Sequence, residues 1–244
     1  MANAERVPRE TTGRGAAGVG GAVQPALFDD EVVTRTGMMA GGPAEQPAAS
    51  KRPAKPKNVH RVKVTLRGTK PPIWRRFEVP SDITLARLHD VIQLGFGWQD
   101  YHMWVFETAV GSYGIADEEL GYRSAANKRL SAVADWPRDR IRYTYDFGDY
   151  WEHDVLLETT VPAIPGIGYP RCTGGRRACP PEDCGGVWGY RELLKTLANP
   201  RSEGHAAMLG WLGLESAADF DPESFDVESV NDDLDQISRV LIKL

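Results

Sequence analysis

Cysteine is scarce in this 244-residue chain, which has three, at positions 172, 179 and 184. An odd and low number excludes the disulfide framework of a small secreted domain. Long hydrophobic runs are also missing: no stretch of about 18 apolar residues offers a membrane span. The N-terminus carries no apolar segment of the secretory type, so the expected location is cytoplasmic, with no membrane partner. Positive charge is not in excess, since 29 Lys and Arg stand against 34 Asp and Glu, a net charge of −5. That balance argues against a large nucleic-acid footprint and leaves room only for a local basic patch. The rest is ordinary for a globular protein, with 41 % hydrophobic and 26 % charged residues.

Aromatic residues are almost absent from the first 57 positions, where Phe28 stands alone and 25 residues are Gly, Ala or Pro. Such a segment buries too little apolar surface to offset chain ordering. Residues 1–57 are therefore expected to be disordered, ending in the basic, proline-rich link Lys51-Arg52-Pro53-Ala54-Lys55-Pro56-Lys57. The run Gly13-Arg14-Gly15-Ala16-Ala17-Gly18 matches a dinucleotide-binding pattern. That loop needs a strand before it and a helix after it, and neither is supplied here.

A single folded domain is expected over residues 58–244. Val62, Val64 and Leu66 alternate with Lys63 and Thr65, the pattern of a half-buried strand. Turn residues Gly68 to Pro72 lead to a second strand, Ile73 to Val79. Leu85, Leu88 and Ile92 mark a helical face, with Thr84 as N-cap and Gly95 or Gly97 as terminator. A strand over Met103–Thr108 follows. Residues 109–139 are Gly-rich and polar, with a short helix expected around Ala126–Ala134. Arg140–Asp146 and Trp151–Glu158 form a β-hairpin. Pro162 to Gly186 reads as a long loop. Helices are expected over Trp188–Asn199 and Glu203–Leu212, and a last one through Val227, Val230, Leu234, Ile237 and Leu241. The expected class is α+β: a β-grasp-like N-terminal half (strand, hairpin, strand, helix, strand), extended by the β-hairpin and followed by C-terminal helices.

Three constellations carry chemistry. The hairpin Tyr143–Asp154 gathers Tyr145, Asp146, Asp149, Trp151 and His153. Strand alternation puts His153 on the apolar face with Trp151, Val155 and Leu157, where a histidine is most often a core residue. Asp146 and Asp149 flank the turn, where aspartates usually bond local backbone. Asp146-Phe147-Gly148 matches the magnesium-binding triplet of protein kinases, but no phosphate loop accompanies it. The second constellation is the loop holding Cys172, Cys179, Glu182, Asp183 and Cys184, spaced C-x6-C-x4-C. This is not the close pairing of a zinc ribbon. The three thiolates with His153 or His102 could close a tetrahedral zinc site, with Cys172, Cys179 and His153 as the candidate ligands, and packed thiols are the plainer alternative. The third is Leu88-His89-Asp90 with Trp98-Gln99-Asp100-Tyr101-His102 after it, where His102 enters a strand from a loop.

Five segments occur in the same order in one family: Pro71-Pro72-Ile73-Trp74-Arg75-Arg76, Leu88-His89-Asp90-Val91-Ile92-Gln93, Tyr145-Asp146-Phe147-Gly148-Asp149, Trp151-Glu152-His153 and Cys179-Pro180-Pro181-Glu182-Asp183. Over residues 59–235 the chain closely resembles the plasmid pRiA4b ORF-3-like family, some of whose members carry an insertion-sequence passenger or resolvase-type name. Family members often have a second histidine where this chain has Trp104. The resemblance implies a bacterial α+β domain associated with mobile elements, and no established reaction.

Two functional classes follow. One is a non-catalytic binding or interaction module, with a protein or nucleic-acid partner, whose surface comprises His102, Tyr145, Asp146, Asp149, Trp151, His153, Glu182 and Asp183. The other is a metal-dependent enzyme acting on nucleic acid or a phosphoester through Asp146, Asp149, His153 and Glu182. The first is preferred, because the sequence yields no complete catalytic set.

Overall fold

The computed structural model describes residues 58–241, so the tail expected to be disordered lies outside the described residues. Strands β1 (Asn58–Leu66) and β2 (Ile73–Pro80) form an antiparallel pair, Leu66 opposite Ile73. Their alternation has the expected consequence: Val62, Val64, Leu66, Ile73, Phe77 and Val79 are buried, while Lys63 and Thr65 are only partly so. Helix α1 (Leu85–Phe96) starts where the Thr84 hydroxyl accepts a hydrogen bond from the Arg87 N–H, and it ends at Gly97. Its face of Leu85, Leu88, Ile92 and Phe96 is buried. Burial of each such side chain contributes about 1.5–3 kcal/mol. The helix lies so close to β2 that a Cβ on Gly95 would come 2.2 Å from the Phe77 ring.

The chain continues through β3 (Trp104–Thr108), β4 (Gly111–Gly114), β5 (Arg123–Ser124), β6 (Arg140–Tyr145), β7 (Trp151–Pro162) and β8 (Arg171–Arg176). Helices α2 (Gly186–Ala198), α3 (His205–Leu212) and α4 (Val227–Leu241) complete the mixed α+β fold. One sheet takes the order β5-β4-β3-β6-β7-β1-β2-β8. The strand after α1 does not pair with β1. The β6–β7 hairpin stands between them, and twelve-residue β7 runs antiparallel along β1. The grasp-like order is thus one of chain sequence, and the sheet is a larger, almost wholly antiparallel one.

Two local expectations are corrected. The stretch read as a loop from Pro162 to Gly186 contains β8, which pairs with β2. Its sequence, with Gly174 and Gly175, shows no apolar alternation. It is extended because the outer edge of β2 has backbone groups to satisfy. The short helix expected around Ala126–Ala134 is a single 3-10 turn over Leu130–Ala132.

Ion pairs cross the strands away from the core. Glu78 lies between Arg61 on β1 and Arg171 on β8, Arg76 on β2 meets Glu158 on β7, and Arg142 on β6 meets Glu152 on β7. Carboxylates across this part of the sheet therefore have arginine partners.

Candidate acidic recognition site

The β6–β7 hairpin sets the site. Tyr143 pairs with His153 and Tyr145 with Trp151, and all four side chains are buried. The chain then turns through Asp146 and Tyr150, both in the left-handed region, at φ 57° and 59°. Aspartate tolerates that conformation because its short side chain bonds locally. Here Asp146 Oδ1 accepts from the Gly148 N–H at 2.8 Å. Asp183, in the cysteine-bearing loop, has φ 57° as well.

Two further segments close onto the turn. The Trp98 indole N–H donates to the Pro180 carbonyl at 3.0 Å. The Gln99 N–H donates to Glu182 Oε2 at 3.0 Å, and the Tyr145 hydroxyl donates to the other oxygen of Glu182 in a short bond. Burial, then Glu182, pushes the Tyr145 phenol well above its usual range, so it stays a donor. The Gly185 N–H donates to Asp149 Oδ2 at 3.1 Å. A Cβ on Gly186 would fall 2.3 Å from the Asp149 carbonyl oxygen, so the start of α2 touches the turn backbone.

At the centre, His102 Nε2 lies 3.3 Å from Asp183 Oδ1 and 3.8 Å from Asp146 Oδ2. The nitrogen is closed off from solvent and makes no hydrogen bond. Asp146 is buried and Asp183 is exposed. Among the described residues, these three are the one group of His, Cys, Asp and Glu whose donor atoms lie within 4.8 Å of one another.

A closed circuit of hydrogen bonds holds the segment before His102. Asp100 Oδ1, a carboxylate acceptor, takes a hydrogen bond from His89 Nε2 at 2.8 Å, which puts the single proton of the neutral ring on Nε2. His89 Nδ1 therefore accepts from the Tyr143 hydroxyl at 2.7 Å, and that hydroxyl accepts from Gln93 Nε2 at 2.9 Å. The Asp100 N–H returns to Gln93 Oε1 at 3.2 Å. Burial lowers the His89 pKa to about 4, which keeps the ring neutral, as the circuit requires. Trp104 stacks on His89 with ring centroids 4.0 Å apart. Sequence reasoning singled out His89 but not its partners Gln93 and Tyr143. The available signal was two polar side chains, His89 and Gln93, four apart on the apolar face of α1.

The structure gathers His102, Tyr145, Asp146, Asp149, Glu182 and Asp183 at one end of the sheet. Tyr145 is itself fully buried and reaches these carboxylates only through its hydroxyl, whereas Trp151 and His153, also fully buried, make no hydrogen bond to them. His153 is flanked by Phe96, Trp98 and Tyr143 at centroid distances of 4.9–5.3 Å. The set Cys172, Cys179 and His153 does not converge. Cys179 Sγ is bound by Arg75 Nη2 at 3.2 Å, Cys172 is buried near Gly174, and His153 is enclosed by aromatic rings. Burial also pushes the Cys179 and Cys184 thiols up to about 12.

The site's charge differs from that of the ion-paired strands. Among the described residues, no Lys or Arg forms an ion pair with Asp146, Asp149, Glu182 or Asp183. The same loops expose aromatics: Tyr101 is 73 % exposed, Tyr150 57 % and Phe147 38 %.

Comparison with known proteins agrees with the sequence resemblance. The plasmid pRiA4b ORF-3-like protein family matches residues 58–229. The uncharacterized protein y4hQ of Sinorhizobium fredii is 39 % identical over 184 residues, covering 74 % of this chain and 93 % of that protein. The crystal structure of MM3350 from Methanosarcina mazei Go1, a protein of unknown function, superposes with a TM-score of 0.64 at 37 % identity. That match covers 71 % of this chain and 98 % of the other. The chain belongs to the plasmid pRiA4b ORF-3-like family. Among the described residues, no helix is long and apolar enough to cross a membrane.

Proposed function

We propose that this member of the plasmid pRiA4b ORF-3-like family is a binding module, and that the acidic, aromatic-rimmed end of its sheet takes up a positively charged ligand. The observation that carries the reading is the absence, among the described residues, of arginine or lysine partners for Asp146, Asp149, Glu182 and Asp183, where Glu78, Glu152 and Glu158 all have them. Unneutralised carboxylates beside low-dielectric aromatic walls concentrate negative potential and attract cations. Exposed Tyr101 and Tyr150 add faces for a cation or an aliphatic stem. The same field repels nucleic-acid phosphates, which makes nucleic acid the weaker partner. An association with mobile elements is part of this proposal, supported by the plasmid origin in the family's name.

Binding is preferred to catalysis because neither the thiols nor the interior histidines are placed to act as nucleophile or general base. The thiols of Cys179 and Cys184 are held protonated by burial, and His89 and His153 are neutral inside the core. Titration with a fluorescent arginine-rich peptide and, separately, a labelled single-stranded oligonucleotide tests the reading in chelator-containing buffer. The expected result is salt-sensitive peptide binding and little oligonucleotide binding. Preferential binding of the oligonucleotide would overturn it.

A further inference from the structure

We infer that His102 Nε2, Asp146 Oδ2 and Asp183 Oδ1 together bind one divalent transition-metal ion. The inference rests on the proposed reading and deepens it, since the positive charge taken up at this point is then the ion itself. Three observations carry it. The donor atoms converge from two loops and a strand end, with the imidazole nitrogen 3.3 Å and 3.8 Å from the two carboxylate oxygens. Ligand bonds of about 2.0–2.2 Å place neighbouring donors roughly 3–3.5 Å apart, so the imidazole nitrogen is already close to range of both oxygens, and the donors, all within 4.8 Å of one another, would draw together on the ion. The imidazole nitrogen is cut off from water and makes no hydrogen bond, although two carboxylates lie beside it. A buried polar atom left this way calls for a partner, and a cation placed between the nitrogen and both oxygens satisfies all three. Among the described residues, no lysine or arginine forms an ion pair with the two carboxylates.

The donor set also selects the ion. A guanidinium or ammonium needs acceptors, and the imidazole ring of His102 serves a metal better than a second cation. One imidazole with two carboxylates suits zinc, manganese or iron(II), whereas magnesium and calcium favour all-oxygen sites. Three protein donors leave coordination positions for water or for a ligand atom. Exposed Asp183 leaves the site open on its outer side, with Tyr101 next to His102 in sequence. This donor set contains no cysteine and keeps, of the zinc ligands considered from sequence, His102 alone.

The test uses the full chain stripped with chelator and then titrated with manganese(II) alone, following loss of the free-ion paramagnetic signal, with zinc(II) as competitor. One bound ion per chain, displaced by zinc, is expected. His102→Ala, Asp146→Asn and Asp183→Asn should each weaken binding by more than about tenfold, the lower end of what even an outer-shell partner costs. Asn tolerates the left-handed backbone of Asp146 and Asp183, so both variants should keep the fold. The metal-free melting temperature of each variant checks this. Asp82→Asn, in an exposed pair with Arg129, should bind as the natural chain does. Absence of binding at millimolar manganese and zinc would overturn the inference. So would binding undiminished in His102→Ala. If the ion fails to bind while the arginine-rich peptide still does, the inference falls and the binding-module reading stands; if neither binds, both fall.

Discussion

The Tyr143 hydroxyl, fully buried, joins His89 Nδ1 at 2.7 Å to Gln93 Nε2 at 2.9 Å. That single oxygen closes the circuit tying α1 to Asp100, two residues before His102. Tyr143→Phe removes it and leaves a buried imidazole nitrogen and a buried amide without their partner. A loss of about 1–3 kcal/mol of unfolding free energy is expected, measured by urea denaturation with an unchanged denaturant slope. An effect below a few tenths of a kcal/mol would mean that the circuit does not hold the loop.

Acid should destabilise the fold through its interior histidines. Burial lowers the pKa of His153 to about 3 and that of His89 to about 4, whereas both titrate near 6.5 when unfolded. The unfolded chain therefore binds more protons between about pH 6.5 and those folded values. Stability from these groups is full above pH 6.5 and is lost progressively as the pH falls through that window. Both ring nitrogens of His153 are unpartnered in the core. His153→Phe should consequently flatten the fall of melting temperature between pH 7 and pH 4 and be the more stable form at pH 5. A wild-type slope retained in the variant would contradict the assignment.

The start of α2 approaches the hairpin turn too closely for a side chain. Gly186 has φ 66°, and an added Cβ would lie 2.3 Å from the Asp149 carbonyl oxygen. Backbone cannot step aside as a side-chain tip can. Gly186→Ala should cost about 2 kcal/mol or more, combining left-handed strain with the clash. Peptide affinity should fall as well, because Asp149 and the Gly185 N–H share that contact. Calorimetry and the peptide titration check the two effects separately.

Glu78 tests the arginine-matched part of the sheet. Burial raises its pKa, but hydrogen bonds from Arg61 and Arg171 outweigh this and leave it below the usual carboxylate range. Its contribution is present above the unfolded carboxylate pKa and is lost as the pH falls through the lowered value. Glu78→Gln should cost about 2 kcal/mol at pH 7, less than for a fully buried pair because both guanidinia reach solvent. The cost should shrink in strong acid, as denaturation at the two pH values would show.

Alternation and helical spacing made most of the fold legible. Val62-Val64-Leu66, Ile141-Tyr143-Tyr145 and Leu85-Leu88-Ile92 each bury the face that their period marks. Strand β8 was not legible, because an edge strand is defined by the neighbour it completes, and Gly174-Gly175 carries no pattern. The sheet order was hidden for a related reason: pairing between β1 and β7 joins residues nearly a hundred positions apart. In the site, the left-handed turns at Asp146 and Asp183 came from residue types that tolerate them, so clustered aspartates were a usable signal. Strand alternation also placed His153 on the apolar face, where it is fully buried against the rings of Phe96 and Trp98. The direction of His102 was not legible, because it enters β3 from a loop without a period, and only three-dimensional packing turns it toward Asp146 and Asp183.

The central claim is that unneutralised acids at the β6–β7 turn attract a positive ligand. Its most direct test is fluorescence anisotropy of an arginine-rich peptide against the natural chain and against the double variant Asp149→Asn, Asp183→Asn, at low and moderate salt. The account predicts binding to the natural chain that weakens with salt, and affinity at least about tenfold lower in the variant, with its salt dependence largely gone. Equal affinity for both proteins, at both salt concentrations, would contradict it.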